Sequence, residues 1–278
     1  MNVFLFEHIC GGGILNEAIP DDWAAQGSAM LRAVARDLLD AGVAVATTRD
    51  ARIHFPLPQA TVVTIDDGKA LDWQFDQLST QSDAVLVIAP ETDGVLEGWS
   101  NRIEQLNVPS LGSATDAIKL CSDKIATAQC LRDADVPTPK TLPLDEIFDI
   151  AGPCFDECRC MVVKPRDGAG CEHTLLCQSP SAVRGIDPPS SQKLIVQPFV
   201  SGIAVSVSFI VHRSSIRPLP AGQQVIRRHA DRLTYQGGRL PLADPLESRA
   251  RKLATRAMEN VPDLRGFVGV DLILADDE

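Results

Sequence analysis

The stretch MVVKPRDGAGC, residues 161–171, joins an apolar β-strand to a glycine loop through a lysine at the end of the strand. Because a lysine among apolar side chains is costly unless an anion meets it, Lys164 indicates an anion site. The loop of Gly168, Ala169 and Gly170 has the backbone freedom to close over phosphates with its N–H groups. A hairpin with an exposed lysine and an ordinary glycine turn explains this segment equally well.

The segment LIVQPFVSG, residues 194–202, is an apolar strand that ends in a polar, an aromatic and an aliphatic side chain. A purine ring needs edge hydrogen bonds and an apolar slot, and Gln197, Phe199 and Val200 supply both. Taken alone, the same segment is typical of a strand end followed by a turn.

Two charged residues elsewhere are typical of a nucleotide site. Lys124, in the string SDK at the start of a helix, is placed to meet a phosphate from a second side. Asp271, between Val270 and Leu272 on a strand, suggests a magnesium ligand. Their ordinary explanations are a solvated surface lysine and a strand-edge aspartate that faces water.

The segment from Arg213 to Arg239 holds six arginines and one acidic residue, Asp231, in a chain whose net charge is −11. A cationic patch of this kind would attract a triphosphate or a phosphorylated intermediate, and Arg227 within it is the candidate catalytic residue beside Lys164. The alternative is an edge hairpin whose charges discourage aggregation.

The composition indicates which binding partners and which cellular compartment to expect. The 278 residues are 45% hydrophobic and 23% charged, which is ordinary for a globular protein. The acidic balance argues against nucleic acid and anionic membranes as partners, and no segment is long and apolar enough to span a bilayer. Eight cysteines without a secretion signal predict free thiols and a cytoplasmic location. The C-x3-C-x-C spacing of Cys154, Cys158 and Cys160 lacks the second pair of a zinc site, and its role stays open.

Strands and helices alternate from residue 1 to about residue 112, which predicts a mostly parallel α/β domain. Ligands of such sheets sit at the carboxyl ends of the strands, where this half carries Glu7 before a triple glycine and Glu91 after an apolar strand. Short strands dominate afterwards. The predicted fold class is therefore α/β plus α+β, in two domains, residues 1–112 and 113–278.

The order of these features resembles the ATP-grasp superfamily: a helix-start lysine, a lysine strand with a glycine loop, a hinge segment and a strand aspartate. The resemblance covers essentially the whole chain and implies an N-terminal preATP-grasp domain followed by an ATP-grasp domain. It is closest to the tyramine–L-glutamate ligase family of methanofuran biosynthesis, on the strings IAPETDGVL, LGSATDAIKLCSDKIAT, VVKPRDGAGC, LIVQPFVSG and GFVGVDLIL.

This resemblance implies an ATP-dependent ligase that forms an amide through an acyl phosphate. Lys124 and Lys164 would hold the α- and β-phosphates, and residues 168–170 would close as a lid. The hinge residues 197–200 would hold adenine, and Asp271 would hold Mg²⁺ or Mn²⁺.

The implied partners are a small-molecule carboxylate and an amine, whose identities the sequence leaves open. Glu7 and Glu91 are the candidate contacts to the amine or amino-acid substrate. The oligomeric state stays open; dimers are common among such ligases, and a homodimer is suggested by that analogy alone.

Two departures from the family pattern bear on activity. The segment SGIA, residues 201–204, lacks the acid that binds ribose in many members. The family's E-x-N metal motif follows the strand of Asp271, whereas this sequence ends at Glu278. One of the usual three metal ligands is therefore present; a shortened chain is the expected reason, and a naturally inactive relative is the alternative.

Three other functions stay open. The first is an inactive nucleotide-binding protein that acts as a partner or regulator, and the second is a carboxylase or purine-pathway ligase of the same superfamily. The third, an NAD-dependent oxidoreductase, is weakly supported, because the early glycines do not form G-x-G-x-x-G and no acid ends the second strand.

Overall fold

The computed structural model describes residues 1–147, 160–186, 193–213 and 215–275. They form two compact units, Met1–Thr115 and Asp116–Glu278, so the division falls after Thr115. Cys154 and Cys158, and the acidic residues 276–278, lie outside the described residues.

The first unit is a parallel α/β sheet. Its four strands, in the order β3-β2-β1-β4, are β1 Asn2–Glu7, β2 Ala44–Asp50, β3 Thr61–Ile65 and β4 Ala84–Ile88. The helices are α1 Asp21–Asp40, α2 Gly68–Thr80 and α3 Val95–Gln105, the last preceded by a 3₁₀ turn at Thr92–Gly94. The predicted α/β alternation and the parallel strands are confirmed.

Strand β1 is buried on both faces, as a central parallel strand should be. Phe4 and Phe6 pack with Phe75 on one side of the sheet, while Leu5 packs with Leu31 on the other. This central position carries the residues that follow β1 to the carboxyl edge of the sheet.

The sequence predicts that Asp21 and Asp22 cap the first helix and that another helix begins at Thr92, and the structure differs in both details. Asp21 and Asp22 lie inside the first turn of α1, whose N-cap is Pro20, so they do not cap it. The helix expected from Thr92 begins only at Val95, because Asp93 and Gly94 adopt left-handed backbone conformations with φ of 54° and 68°.

The second unit is built from short strands and a few helices, which confirms its α+β class. The strands are β5 Leu142–Pro143, β6 Met161–Pro165, β7 Leu175–Cys177, β8 Leu194–Pro198, β9 Ile203–His212, β10 Ser215–Pro218, β11 Gly222–His229, β12 Arg232–Arg239 and β13 Gly266–Leu274. The helices are α4 Thr115–Ser122, which starts at the last residue of the first unit, α5 Lys124–Asp133, α6 Pro180–Arg184 and α7 Leu246–Glu259. Within the described ranges, no helix has the length and apolar character that crossing a membrane requires.

Strand order within the second unit is β10-β9-β11-β12-β7-β6-β8-β5, with β13 paired along β9. The sequence from Ile216 to Ile226 predicts a single strand, but the structure has two there, β10 and β11. They are separated at Pro220, which has no backbone N–H to donate. Strand β12 and helix α6 have no counterpart in the sequence analysis. Two apolar clusters result, one between α7 and strands β9 and β13, the other around β6 and β8.

Candidate functional site

Lys164 and Gln197 lie on the same face of the sheet. Antiparallel register pairs Val162 with Gln197 and Lys164 with Ile195, and paired residues point to the same side. The opposite face carries Met161, Val163 and Val196, all buried in the apolar cluster around β6 and β8. Strand alternation therefore directs the lysine and the glutamine away from that core, toward one common surface.

Lys164 is a cation with one carboxylate and one thiol nearby. Burial lowers the pKa of Lys164 below its ordinary value of 10.5, and the charges of Cys171 and Asp271 oppose that shift. Asp271 comes from β13 and Cys171 from the glycine loop, so the fold brings three distant segments to the same place. A half-buried ammonium in this position favours an anionic ligand.

Lys124 contacts the glycine loop directly. Its Nζ lies 2.8 Å from the carbonyl oxygen of Gly168 and 3.4 Å from that of Arg166. Its backbone N–H also donates to the Arg166 carbonyl oxygen at 3.1 Å. The two lysines named by the sequence analysis thus flank the same loop.

Asp123 and Arg166 fasten the start of α5 to the end of β6. The Asp123 carboxylate accepts the backbone N–H groups of Ile125 and Ala126, and Arg166 Nε donates to it at 2.8 Å. The hydrogen bond from Arg166 holds the pKa of Asp123 below its ordinary value of 3.8, against burial, which raises it. This pair was missed in the sequence, because its members stand 43 residues apart and no local pattern links them.

The glycine loop has backbone angles that favour glycine. Gly168 and Gly170 have φ of 104° and 69°, and Cys171 follows with φ of 60°. A Cβ placed on Gly170 would meet no heavy atom within 4 Å, and Ala169 is exposed. The loop therefore presents its backbone to open space beside Lys124.

The hinge after β8 exposes the phenyl ring of Phe199. Phe199 is 42% exposed, and its N–H donates to the Cys160 carbonyl oxygen at 3.0 Å, which fixes the backbone there. Val200 is half-buried. Gln197 Nε2 donates to Thr141 Oγ1 at 2.8 Å, a partner for which the sequence held no signal.

Asp271 is exposed on β13 and accepts a hydrogen bond from Gln224 Nε2 at 2.9 Å. Arg227, on the same strand β11 as Gln224, is exposed, and the described residues provide no ion-pair partner for it. Within the described ranges no three His, Cys, Asp or Glu side chains are grouped as metal ligands. Asp271 with Gln224 therefore does not by itself complete a magnesium site.

A cavity of about 470 Å³ lies on the other side of the glycine loop. Of the candidate ligands only Gly170 lines it, and its floor includes Leu175 and Leu194. Those two leucines pack on the face of Val163, opposite the face of Lys164. The cavity is thus separate from the surface that Lys164 and Gln197 share.

In the first unit, Glu7 and Glu91 have opposite environments. Glu7 is 2% exposed, and its carboxylate accepts the N–H of Cys10 at 2.7 Å and that of Ile9 at 3.3 Å. Burial raises the pKa of Glu7, and those hydrogen bonds oppose the shift. Glu91 is exposed at the carboxyl end of β4.

Comparison with protein families agrees with the fold. A family model described as the ATP-grasp domain matches residues 121–278, and one described as the pre ATP-grasp 3 domain matches residues 43–118. The chain belongs to the ATP-grasp family, with an N-terminal pre-ATP-grasp domain, as its sequence order predicted. Proteins of this family bind ATP.

Three individual proteins illustrate the similarity. The tyramine–L-glutamate ligase of Methanocaldococcus fervens is 28% identical over 218 residues, which are 78% of this chain and 63% of that protein. The chain thus spans less than two thirds of that relative. The crystal structure of an ATP-grasp superfamily protein from Archaeoglobus fulgidus is 26% identical, with a TM-score of 0.71 over 99% of this chain and 77% of that one. The D-alanine–D-alanine ligase of Bacillus anthracis complexed with ATP is 16% identical, with a TM-score of 0.62 over 99% and 82%.

Proposed function

We propose that this chain carries the nucleotide site of an ATP-dependent carboxylate–amine ligase. The observation that carries the proposal is the shared sheet face of Lys164 and Gln197, beside a glycine loop that Lys124 contacts. A cation for phosphate and a polar edge for a purine thus stand on neighbouring strands. The named ligases among the relatives support the reaction class.

The proposed reaction has two steps. A substrate carboxylate oxygen attacks the γ-phosphorus of ATP, the bond to the β-phosphate oxygen breaks, and an acyl phosphate and ADP result. The amine then attacks the acyl carbon, loses a proton, and displaces inorganic phosphate to leave an amide. Phosphoryl transfer of this kind depends chiefly on positioning and on neutralising charge.

Each site residue has a role in that scheme. Lys124 and Lys164 hold the α- and β-phosphates, and Arg227 neutralises charge on the transferred group. Residues 168–170 close over the nucleotide and exclude water, which would hydrolyse an acyl phosphate. Gln197, with Phe199 and Val200 beside it, holds adenine.

The Lys124 side chain would exchange one partner for another when nucleotide binds. Its Nζ donates a hydrogen bond to the carbonyl oxygen of Gly168. A phosphate would compete for the same ammonium, since a charged acceptor binds it more strongly than a neutral carbonyl does. Nucleotide would then release the loop to close. Asp271 is our proposed ligand for Mg²⁺ or Mn²⁺, although the described residues do not complete such a site.

Substrate recognition is assigned to the first unit. Tyramine and glutamate, taken from the name of the relative, are the substrates we propose to test first. Glu91, exposed at a strand end, is the proposed contact to the amine, whereas the buried Glu7 is better suited to holding the loop after β1. If Glu91→Gln leaves KM for both substrates unchanged, that assignment is wrong.

A second candidate is an ATP-binding protein of the same fold without ligase activity. The observation in its favour is that the described residues hold no group of three possible metal ligands, at Asp271 or elsewhere. It would bind ATP and release no ADP when an amine and an acid are supplied.

Calorimetric titration with ATP and Mg²⁺ tests the nucleotide site. We expect binding of ATP and none of NAD, and we expect Lys164→Ala to weaken ATP binding by about 10- to 100-fold, the range for a lost charged hydrogen bond. Lys252→Ala, at an exposed lysine of α7, is the matched control and should bind normally.

An ADP-release assay then separates the two candidates. Release that depends on both an acid and an amine supports the ligase, and ATP binding without release supports the inactive form. Binding of NAD in place of ATP would overturn both.

A further inference from the structure

Gln197 is held in one orientation by hydrogen bonds that run through Thr141. Thr141 is 2% exposed and directly precedes β5, which pairs with β8 at Leu142 and Val196. Its Oγ1 lies 3.0 Å from the carbonyl oxygen of Pro139 and 2.8 Å from Nε2 of Gln197. The hydroxyl therefore stands between a backbone acceptor and the side-chain amide.

The direction of these bonds follows from counting hydrogens. A hydroxyl has one hydrogen to donate, and the Pro139 carbonyl can only accept. The Thr141 hydroxyl thus donates to Pro139 and accepts the N–H of Gln197 Nε2. With Nε2 turned toward Thr141, the carbonyl oxygen Oε1 of Gln197 is the end left for a ligand, and the side chain makes no other hydrogen bond within the described residues.

The exposed end of this amide lies on the face where the nucleotide is proposed to bind. Register places Gln197 on the side of Lys164, away from the apolar cluster around β6 and β8. A base that contacts Gln197 would therefore meet an acceptor. The 6-amino group of adenine donates a hydrogen bond, whereas the 6-oxo group of hypoxanthine or guanine only accepts.

We propose that Thr141 makes this site select a 6-amino purine over a 6-oxo purine, by fixing which end of the Gln197 amide faces the base. The assignment rests on the proposed nucleotide site. Without the hydroxyl, the amide can turn by half a rotation and present Nε2 to a 6-oxo oxygen. Turning it while the hydroxyl is present would either set Oε1 against Thr141 Oγ1 or make the hydroxyl leave Pro139 to donate to Oε1, so one hydrogen bond is lost in both cases. Thr141 is thus a positioning residue, which need not touch the base.

The test compares the affinities of ATP and inosine triphosphate, measured by calorimetry on the same protein preparation. Inosine triphosphate carries a 6-oxo group and a protonated N1 and lacks the extra amino group of guanine, so its difference from ATP is confined to positions 1 and 6 of the base. Because both ligands are titrated into one preparation, a partly inactive variant changes both signals and leaves the ratio of the affinities intact.

Thr141→Val keeps the shape of the side chain and removes the hydroxyl. We expect the preference for ATP over inosine triphosphate to fall by about 3- to 10-fold, the range for one neutral hydrogen bond. Thr141→Ser keeps the hydroxyl and should keep the preference. If Thr141→Val does not fold, Thr141→Ala serves for the same measurement.

Gln197→Glu is the control that distinguishes hydrogen bonding by Thr141 from packing by Thr141. A carboxylate has two acceptor oxygens and no N–H, so turning it changes nothing. In that background, Thr141→Val should leave the preference unchanged.

Three outcomes would overturn the proposal. An unchanged preference in Thr141→Val, with ATP still bound, shows that the hydroxyl does not set the selection. If Thr141→Val lowers the preference for ATP equally in the wild-type and Gln197→Glu backgrounds, Thr141 acts through packing. Absence of ATP binding by the unaltered protein overturns the nucleotide site itself and this assignment with it, so the two failures are distinguishable.

Discussion

The two glycine loops of this chain use glycine for different physical reasons. In the loop after β1, a Cβ on Gly11 would lie 2.5 Å from the backbone oxygen of Glu7 and 2.7 Å from the ring of Phe6. In the loop after β6, a Cβ on Gly170 would meet nothing within 4 Å, and φ there is +69°. The first loop needs glycine for close packing, and the second needs it for backbone conformation.

The surroundings of the loops differ in the same way. The first loop is held from several sides: Glu7 accepts two of its N–H groups, and Thr48 Oγ1 donates to the Gly11 carbonyl oxygen at 2.8 Å. The second is held at Gly168 by one lysine side chain. Substitutions in the first should therefore lower stability, and those in the second should mainly lower nucleotide affinity.

The largest expected effect is on the packed loop. Gly11→Ala forces a methyl group onto the backbone of Glu7, and overpacking of this kind should lower the free energy of unfolding by about 3 kcal/mol. Gly98→Ala, at an exposed site inside α3 with nothing near its Cβ, is the matched control and should raise it by about 0.5–1 kcal/mol. Urea denaturation measures both, and equal stabilities for the two variants would contradict the distinction.

Gly170→Ala tests the open loop. An alanine at this positive φ should cost about 1 kcal/mol of stability, since no contact is strained. The loss in binding free energy for the nucleotide should exceed this loss in stability, because the lid we propose must adopt more than one conformation. Thermal unfolding and ATP titration on the same preparation decide: a large stability loss with normal affinity would reverse the comparison.

Glu7 gives the packed loop a pH dependence. Because burial raises the pKa of Glu7 above its unfolded value, its contribution to stability is full below about pH 4.5 and falls as the pH rises through the folded-state pKa. Glu7→Gln turns the side-chain amide NH₂, a donor, toward a backbone N–H and should cost about 1 kcal/mol at acid pH. The gap between wild type and variant should then narrow with rising pH. A constant gap in pH-dependent denaturation would show that Glu7 does not titrate in this range.

The smallest effect concerns the pair beside the open loop. Asp123→Asn keeps an acceptor for the start of α5 but loses the charge that Arg166 meets, at a cost of about 0.5 kcal/mol for a pair still partly exposed to solvent. Because Arg166 lowers the pKa of Asp123, this contribution is present above pH 3.8 and disappears as the pH falls through the folded-state pKa. If the denaturation midpoints of wild type and Asp123→Asn differ by the same amount as the pH is lowered, this pH dependence is contradicted.

The order of helices and strands was largely predictable from the sequence. The apolar run expected at residues 161–165 became strand β6, whose Met161, Val163 and Pro165 are buried. Strand β12 was not readable, because its exposed, arginine-bearing sequence lacks such a run. Its place follows from pairing with β11 and β7, which are tertiary contacts.

The candidate residues were named from the sequence, but their relations were not. Lysine at a strand end and glutamine before a hinge are local patterns, and register alone shows that Lys164 and Gln197 share a face. Glu7 was named from the sequence as a candidate substrate contact at a strand end. The structure shows that it is buried, where the loop after β1 supplies two N–H donors to its carboxylate.

The sequence by itself determined the two-part fold, the family resemblance and the residue types available for a nucleotide. Those features reside in local order along the chain, where hydrophobic pattern and turn residues act over a few positions. Only the tertiary structure decided that Thr141 orients Gln197, that Arg166 meets Asp123 and that Gln224 meets Asp271. Each of these contacts joins residues more than forty positions apart, and such pairs exist only once strands and helices have packed.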